Sequence, residues 1–151
     1  MTIHDEHVAR QRPISSGADY IASLRGRNLR LYVLGELVDE PVDHPLVRPS
    51  INAVAETYDL ALQHPELASA VSPYTGERVN RFLHIATSPE DLVRQNKMQR
   101  RLGQLTGTCF QRCVGMDALN ALHSTTYEID QRHGTPYHER LLAFLTQAQR
   151  D

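Results

Sequence analysis

The sequence has few cysteines, no excess of basic residues and no long apolar run, and each shortage excludes a class of protein. Two cysteines are too few for the disulfide framework of a small secreted domain, so we expect a reducing, cytoplasmic setting. The 16 Lys and Arg residues against 18 Asp and Glu give a net charge of −2, which argues against a nucleic-acid partner. No apolar run approaches the roughly 18 residues of a membrane-spanning helix, so we expect no membrane partner.

The 151 residues fit one ordinary domain preceded by a polar segment. Residues 1–16 are polar and aperiodic, which predicts a flexible tail. Residues 17–151 carry the helix signals and are predicted to form a single helical domain. The clearest signal is Ser88-Pro89, an N-cap serine followed by proline at the first helical position.

The pattern of caps, breakers and apolar spacing predicts a mainly α fold with a small β-hairpin. Helices are expected from Ser16 through Leu24, over residues 50–63, from Ser88 to Thr106 with a stop at Gly107, from Cys113 to His133, and from Thr135 to the C-terminus. Residues 29–38 are expected to form the hairpin, residues 64–76 a loop with one helical turn, and residues 79–85 an extended segment.

Both cysteines lie in one short stretch, Cys109 and Cys113, and the spacing alone permits several interpretations. Within a helix, residues four apart share a face, so the two thiols could hold a common ion. They are equally well explained as small, buried and inert thiols. A thioredoxin-type redox pair has two intervening residues where this chain has three, and structural zinc needs four ligands. An iron–sulfur cluster also needs about four, so the spacing does not identify a metal site.

The residues around the two cysteines indicate a family more specifically than the cysteine spacing does. The segment of residues 97–138 resembles the 4-hydroxybutyryl-CoA dehydratase family; it reads KMQRRLGQLTGTCFQRCVGMDALNALHSTTYEIDQRHGTPYH. Members of that family carry FAD and a [4Fe-4S] cluster and also isomerise vinylacetyl-CoA to crotonyl-CoA. The likeness extends to GADYIASLR, LYVLGELV, DHPLVRPSIN and SPEDLV. Broader relatives are the flavin-dependent 4-hydroxyphenylacetate 3-hydroxylases, whose N-terminal domain is the helical one of an acyl-CoA-dehydrogenase-like fold. Those hydroxylases lack the cysteine pair, which favours the dehydratase branch.

The resemblance implies roles for four residues. Cys109 and Cys113 match two cysteine ligands of the cluster, which a third cysteine and a histidine elsewhere in the family protein complete. Gln111 matches a residue near the substrate, so it is expected to contact the hydroxyl or thioester in catalysis unless it is simply a surface glutamine. Arg100 matches an active-site arginine and is expected to bind the acyl-CoA substrate at a CoA phosphate; a solvated charge on a basic helix face is the alternative. The histidines His84, His123, His133 and His138 are expected to be ordinary surface or core residues.

The resemblance also implies that a β domain and a C-terminal helical bundle are missing, with the remaining ligands and most flavin contacts. We therefore expect a fragment, a truncated or split gene product, or one subunit of a split enzyme. Such a chain is expected to bind neither cluster nor FAD firmly, to be inactive by itself, and to form homo-oligomers, since the family is tetrameric. Two alternatives are the N-terminal domain of a hydroxylase and a non-catalytic helical module that interacts through the face the missing domains would cover.

Overall fold

The computed structural model describes residues 13–27 and 29–150, and within these ranges the chain is mainly helical with two short hairpins. The elements are α1 (Gly17–Leu24), β1 (Leu31–Val33), β2 (Glu36–Val38), α2 (Arg48–Gln63), α3 (Pro65–Ala68), β3 (Ser69–Val71), β4 (Arg78–Asn80), a 3-10 turn (Arg81–Leu83), α4 (Pro89–Thr106), α5 (Cys113–His133) and α6 (Tyr137–Ala148). Most of the predicted tail, up to residue 12, lies outside the described residues. Within them, no helix combines the length and the apolar character needed to cross a membrane.

Helix ends follow the capping signals of the sequence. The Ser16 side chain accepts a hydrogen bond from the Asp19 amide, and the Asp19 carboxylate accepts from the Ser16 amide, so α1 begins with a full capping box. Ser88 caps α4 by accepting from the Asp91 amide at 3.2 Å. Gly107, with φ 62°, ends α4 in the left-handed conformation that closes many helices. These boundaries confirm the predicted helix limits.

The first hairpin confirms its prediction, and the second was missed. β1 pairs with β2 in antiparallel register, with Leu31 opposite Val38, across a two-residue turn at Leu34 and Gly35. The second hairpin pairs β3 with β4, where a loop and a longer extended segment were predicted. Its three-residue strands are too short to show an alternating pattern. They are held instead by Arg81, whose guanidinium donates to the Leu67 and Ser69 carbonyls at 2.8 and 2.6 Å.

The core lies where α2, α3, α4 and the 3-10 turn meet the start of α5. Its buried members are Ala53, Leu60, Ala68, Phe82, Met98, Leu102, Phe110 and Met116. Although α5 has 21 residues, Met116 is its one fully buried side chain, and the apolar residues Ala118 and Leu122 are exposed. Because α5 packs on the core only at its start, its first turn and the segment before it are the best-anchored part of that helix.

Candidate functional site

The two cysteines lie at the junction of α4 and α5, in a segment we call the cysteine loop, residues 107–113. Side chains in the middle of this loop alternate between inside and outside. Phe110 is buried and packs against Phe82 with ring centroids 5.7 Å apart, whereas Cys109 and Gln111 on either side are exposed. The loop therefore presents one thiol and one amide to the outside while an aromatic ring fixes it to the core.

The cysteines do not share a helix face, because only one of them is in a helix. Cys113 is the first residue of α5, and Cys109 precedes it in the loop. Both thiols are free; Cys113 is partly buried against the core, and the sulfur of Cys109 accepts a hydrogen bond from the backbone N–H of Gln111 at 3.4 Å. The helical geometry considered from the sequence is thus wrong for this pair, while its position at a helix start is as expected. A role as iron ligands stays a prediction.

Gln111 adopts an unusual backbone conformation. Its φ of 61° lies in the left-handed region, which a residue with a Cβ occupies at a cost of roughly 1–2 kcal/mol. Such strain in a non-glycine residue is concentrated at functional sites, where the surrounding structure holds it in place. The left-handed backbone at Gln111 reverses the direction of the loop between Phe110 and Arg112, which both point inward. It leaves the Gln111 side chain exposed beside Cys109.

Arg112, between Gln111 and Cys113, points into the protein. Its terminal nitrogen donates to the Thr57 hydroxyl at 2.8 Å, and its guanidinium carbon lies 4.5 Å from the Tyr58 ring centroid and 4.9 Å from that of Phe82. Burial lowers the pKa of Arg112 from its ordinary value, and the nearby tyrosines partly offset this. No pattern in the sequence pairs residue 112 with residues 57 and 58, more than fifty positions away, so sequence reasoning missed this contact.

The other predicted site residue, Arg100, is not brought into the loop. It lies exposed on α4 with Lys97 and Arg101, about two helical turns before Gly107, and makes no ion pair or hydrogen bond within residues 13–27 and 29–150. The structure therefore places it as a free positive charge on the helix that leads to the cysteines. Its role in binding a CoA phosphate stays a prediction.

Of the four histidines predicted to be ordinary surface or core residues, three lie in packed surroundings and one is exposed. His84 is buried with its Nε2 3.3 Å from an Asp91 carboxylate oxygen, at an angle unsuited to a hydrogen bond. His123 shares a 2.6 Å hydrogen bond with the Tyr74 hydroxyl, and its ring lies 4.8 Å from that of His138. Burial, with His138 as a second cause, lowers the pKa of His123, which favours a neutral ring. His133 is exposed at the end of α5.

No complete metal site exists in the part of the chain that the structure describes. Within it, no three His, Cys, Asp or Glu side chains are arranged to hold an ion. A cavity of about 350 Å³ is lined by residues 85–89, by Leu92 of α4 and by the α5 residues Asn120, His123 and Ser124, and neither cysteine lines it. The cysteine loop, with its two free thiols, is therefore the candidate site.

Comparison with known proteins finds relatives in two groups of enzymes. Residues 16–151 match the family model described as 4-hydroxyphenylacetate 3-hydroxylase N terminal. The chain is 51% identical over 134 residues to the 4-hydroxybutyryl-CoA dehydratase/vinylacetyl-CoA-Δ-isomerase of Clostridium aminobutyricum, covering 87% of this chain and 27% of that protein. The 4-hydroxyphenylacetate 3-monooxygenase oxygenase component of Escherichia coli is 34% identical over 97 residues, which cover 61% of this chain and 18% of that protein.

Solved structures show the same two branches. An oxygen-tolerant archaeal 4-hydroxybutyryl-CoA dehydratase from N. maritimus superposes with a TM-score of 0.88 and 72% identity, covering 91% of this chain and 27% of that one. A mutant of HpaB complexed with FAD gives a TM-score of 0.50 at 28% identity, over 60% of this chain and 19% of that one. The first match confirms the expected helical domain of an acyl-CoA-dehydrogenase-like fold. The chain spans about a quarter of the length of these dehydratase relatives.

Proposed function

Because the chain belongs to the 4-hydroxyphenylacetate 3-hydroxylase N-terminal family and, within it, to the 4-hydroxybutyryl-CoA dehydratase family, we propose that it is the N-terminal part of such a dehydratase and vinylacetyl-CoA isomerase. The observation that carries this proposal is the high identity to the archaeal dehydratase over nine-tenths of the chain. The remaining three-quarters of the family protein would come from a C-terminal portion or a second subunit. A homo-oligomer of these assemblies is the expected working form.

Cys109 and Cys113 would supply two of the ligands of a [4Fe-4S] cluster. Two free thiols suit iron. The backbone N–H of Gln111 donates a hydrogen bond to the Cys109 sulfur, and hydrogen bonds of this kind tune the reduction potentials of iron–sulfur clusters. The exposed Cys109 and the partly buried Cys113 would be the residues of this chain that hold the cluster. A further cysteine and a histidine from the remaining polypeptide would complete it, so this chain alone would hold it weakly.

The residues of this chain would bind and orient the acyl-CoA substrate. When bound, the cluster supplies a Lewis-acidic iron for the substrate hydroxyl and FAD supplies a reversible electron acceptor. The exposed Gln111 amide offers both a donor and an acceptor to the substrate hydroxyl or thioester carbonyl. The unpaired guanidinium of Arg100 suits a CoA phosphate. Most flavin contacts would lie outside this chain, which we expect to bind FAD poorly by itself.

The test is reconstitution with and without the partner portion. The purified chain, supplied anaerobically with iron, sulfide and FAD, is expected to form no crotonyl-CoA above background from 4-hydroxybutyryl-CoA or vinylacetyl-CoA. Joined to or mixed with the C-terminal portion of a dehydratase of the same family, it should become active. In that assembly Cys113→Ala should abolish activity and lower bound iron, whereas Val114→Ala, at the neighbouring exposed position, should change neither.

Four outcomes would contradict the proposal. Crotonyl-CoA formation by the chain alone would show that the missing parts are dispensable. Full activity in the Cys113→Ala assembly would return the cysteines to the interpretation of buried, inert thiols. An assembly that stays inactive and free of iron would favour a non-catalytic helical module, and one that hydroxylates 4-hydroxyphenylacetate would favour the hydroxylase branch, to which the similarity is more distant.

A further inference from the structure

Arg112 has no part in the proposed chemistry, yet its guanidinium contacts three residues of other elements, Thr57, Tyr58 and Phe82. Its guanidinium lies between the Tyr58 and Phe82 rings and donates to the Thr57 hydroxyl. A guanidinium stacked on aromatic faces is an attractive cation–π arrangement, strongest where water is excluded. One side chain thus joins the cysteine loop to α2 and to the 3-10 turn.

The groups that hold Arg112 are themselves fixed. Thr57 is almost fully buried, and its hydroxyl donates to the Val54 carbonyl at 2.6 Å while it accepts from Arg112. The Tyr58 ring stacks on that of Tyr20, with centroids 5.5 Å apart and an interplanar angle of 20°. Arg112 therefore binds to a preformed recess and does not depend on mobile surface groups.

A structural ion pair does not explain this arginine. Among residues 13–27 and 29–150, no carboxylate pairs with Arg112. The buried Arg81 differs because it contacts Asp91 at 3.5 Å as well as the backbone carbonyls of Leu67 in α3 and Ser69 in β3. Arg112 is thus held chiefly by shape and aromatic contact, which constrains the direction of the chain on both sides of it.

We infer that Arg112 is a positioning residue that holds Cys109 and Cys113 as a preformed pair of ligands. Cys113 follows it directly, at the first position of α5. On its other side the left-handed Gln111 and the buried Phe110 leave little freedom before Cys109. The assignment rests on the proposed function insofar as the pair binds iron. The preorganisation of the two thiols is a property of this chain alone and is measured without any cluster.

Capture of phenylarsine oxide measures this preorganisation. The arsenic(III) reagent condenses with two thiols, forming two As–S bonds and releasing one water, and it binds firmly only where both sulfurs reach one arsenic atom. The reduced full chain is expected to bind one equivalent, and Cys109→Ala should abolish this capture. Arg112→Met, which keeps the length and loses the planar cation, should weaken binding about tenfold, equivalent to about 1.4 kcal/mol. Arg112→Lys should fall between, because an ammonium does not stack as a guanidinium does.

Matched variants separate positioning from general loss of stability. Arg81→Met removes the other buried guanidinium, so it should lower the thermal midpoint and leave the arsenic affinity unchanged. Tyr58→Leu should mimic Arg112→Met, and the double variant should be no weaker than either single one. All affinities are compared at a temperature where circular dichroism shows each variant folded. Equal affinity in the Arg112→Met variant and the unaltered chain, or no capture by the unaltered chain, would overturn the inference. Retained activity in the Cys113→Ala assembly would instead overturn the proposed function.

Discussion

Replacing Gln111 by glycine is expected to make the protein more stable and the assembled enzyme less active. The residue has φ 61° with its side chain exposed. Relief of the left-handed conformation is worth roughly 1–2 kcal/mol, and the greater freedom of glycine in the unfolded chain returns roughly 0.4–1 kcal/mol of it. The net gain of about 0.5–1 kcal/mol should raise the thermal midpoint by about 1–4 °C for a domain of this size.

Gln111→Ala is the matched variant, since it removes the amide but keeps a Cβ in the strained conformation. Its unfolding free energy should stay within about 0.5 kcal/mol of that of the unaltered chain. Urea unfolding followed by circular dichroism measures both variants, and crotonyl-CoA formation in the assembled protein measures the function. Both variants should lose activity while only the glycine variant gains stability. A glycine variant that is less stable than the unaltered chain would refute the argument from strain, and full activity in both would refute the substrate role.

Three further predictions concern stability. Gly17→Ala should destabilise the protein by about 1–3 kcal/mol, because a Cβ there would lie 2.9 Å from the Ala55 carbonyl oxygen. Its control, Gly103→Ala in α4, has open space around the added Cβ and should instead stabilise the protein by about 0.5–1 kcal/mol. Leu34→Asn should raise the thermal midpoint, since Leu34 is 91% exposed with φ 51° in a turn that favours asparagine. Burial raises the pKa of Asp91, but hydrogen bonds from the Thr87 backbone N–H and the Ser88 hydroxyl, together with the neighbouring His84 ring, outweigh it and lower this pKa from 3.8 to about 2. Because the pKa of Asp91 is lower in the folded state than in the unfolded state, its ionised form stabilises the fold above about pH 5, and this stabilisation is lost towards pH 2. Its size is about 1–2 kcal/mol once solvent screening of a carboxylate that is 21% exposed is allowed for. Acid titration of the Asp91→Asn variant should lack that loss of stability.

Local signals predicted the helices because the information that ends a helix lies within a few residues of its end. Ser88 caps α4 through the amide of Asp91, three positions on, and Gly107 ends the same helix through its own φ. The second hairpin could not be found in this way. Its strands have three residues each, and the group that holds their start, Arg81, belongs to the turn that follows. Contacts of that kind depend on the fold and leave no periodic trace in the sequence.

In the candidate site, too, the sequence identified some residues and missed others. The resemblance singled out Cys109, Gln111 and Cys113, which are the residues that face outward or lie at the helix start. It did not reveal the inward residues of the same loop, Phe110 and Arg112, whose partners lie at least 28 positions away along the chain. The helical spacing of the cysteines was also misleading, because a left-handed residue within the loop ends any continuous helix between them.

In the cysteine loop, residues that contact the core alternate with residues whose side chains face outward. Phe110 and Arg112 face the core elements, where aromatic packing and a cation held over two rings contribute to folding. Cys109 and Gln111 face outward, where their groups contribute little to folding and are free to meet a metal or a substrate. Because each outward residue has an inward neighbour, its position is set by contacts in which it takes no part. A loop without regular secondary structure can in this way fix the direction of its outward side chains, at the cost of one strained residue where the chain reverses.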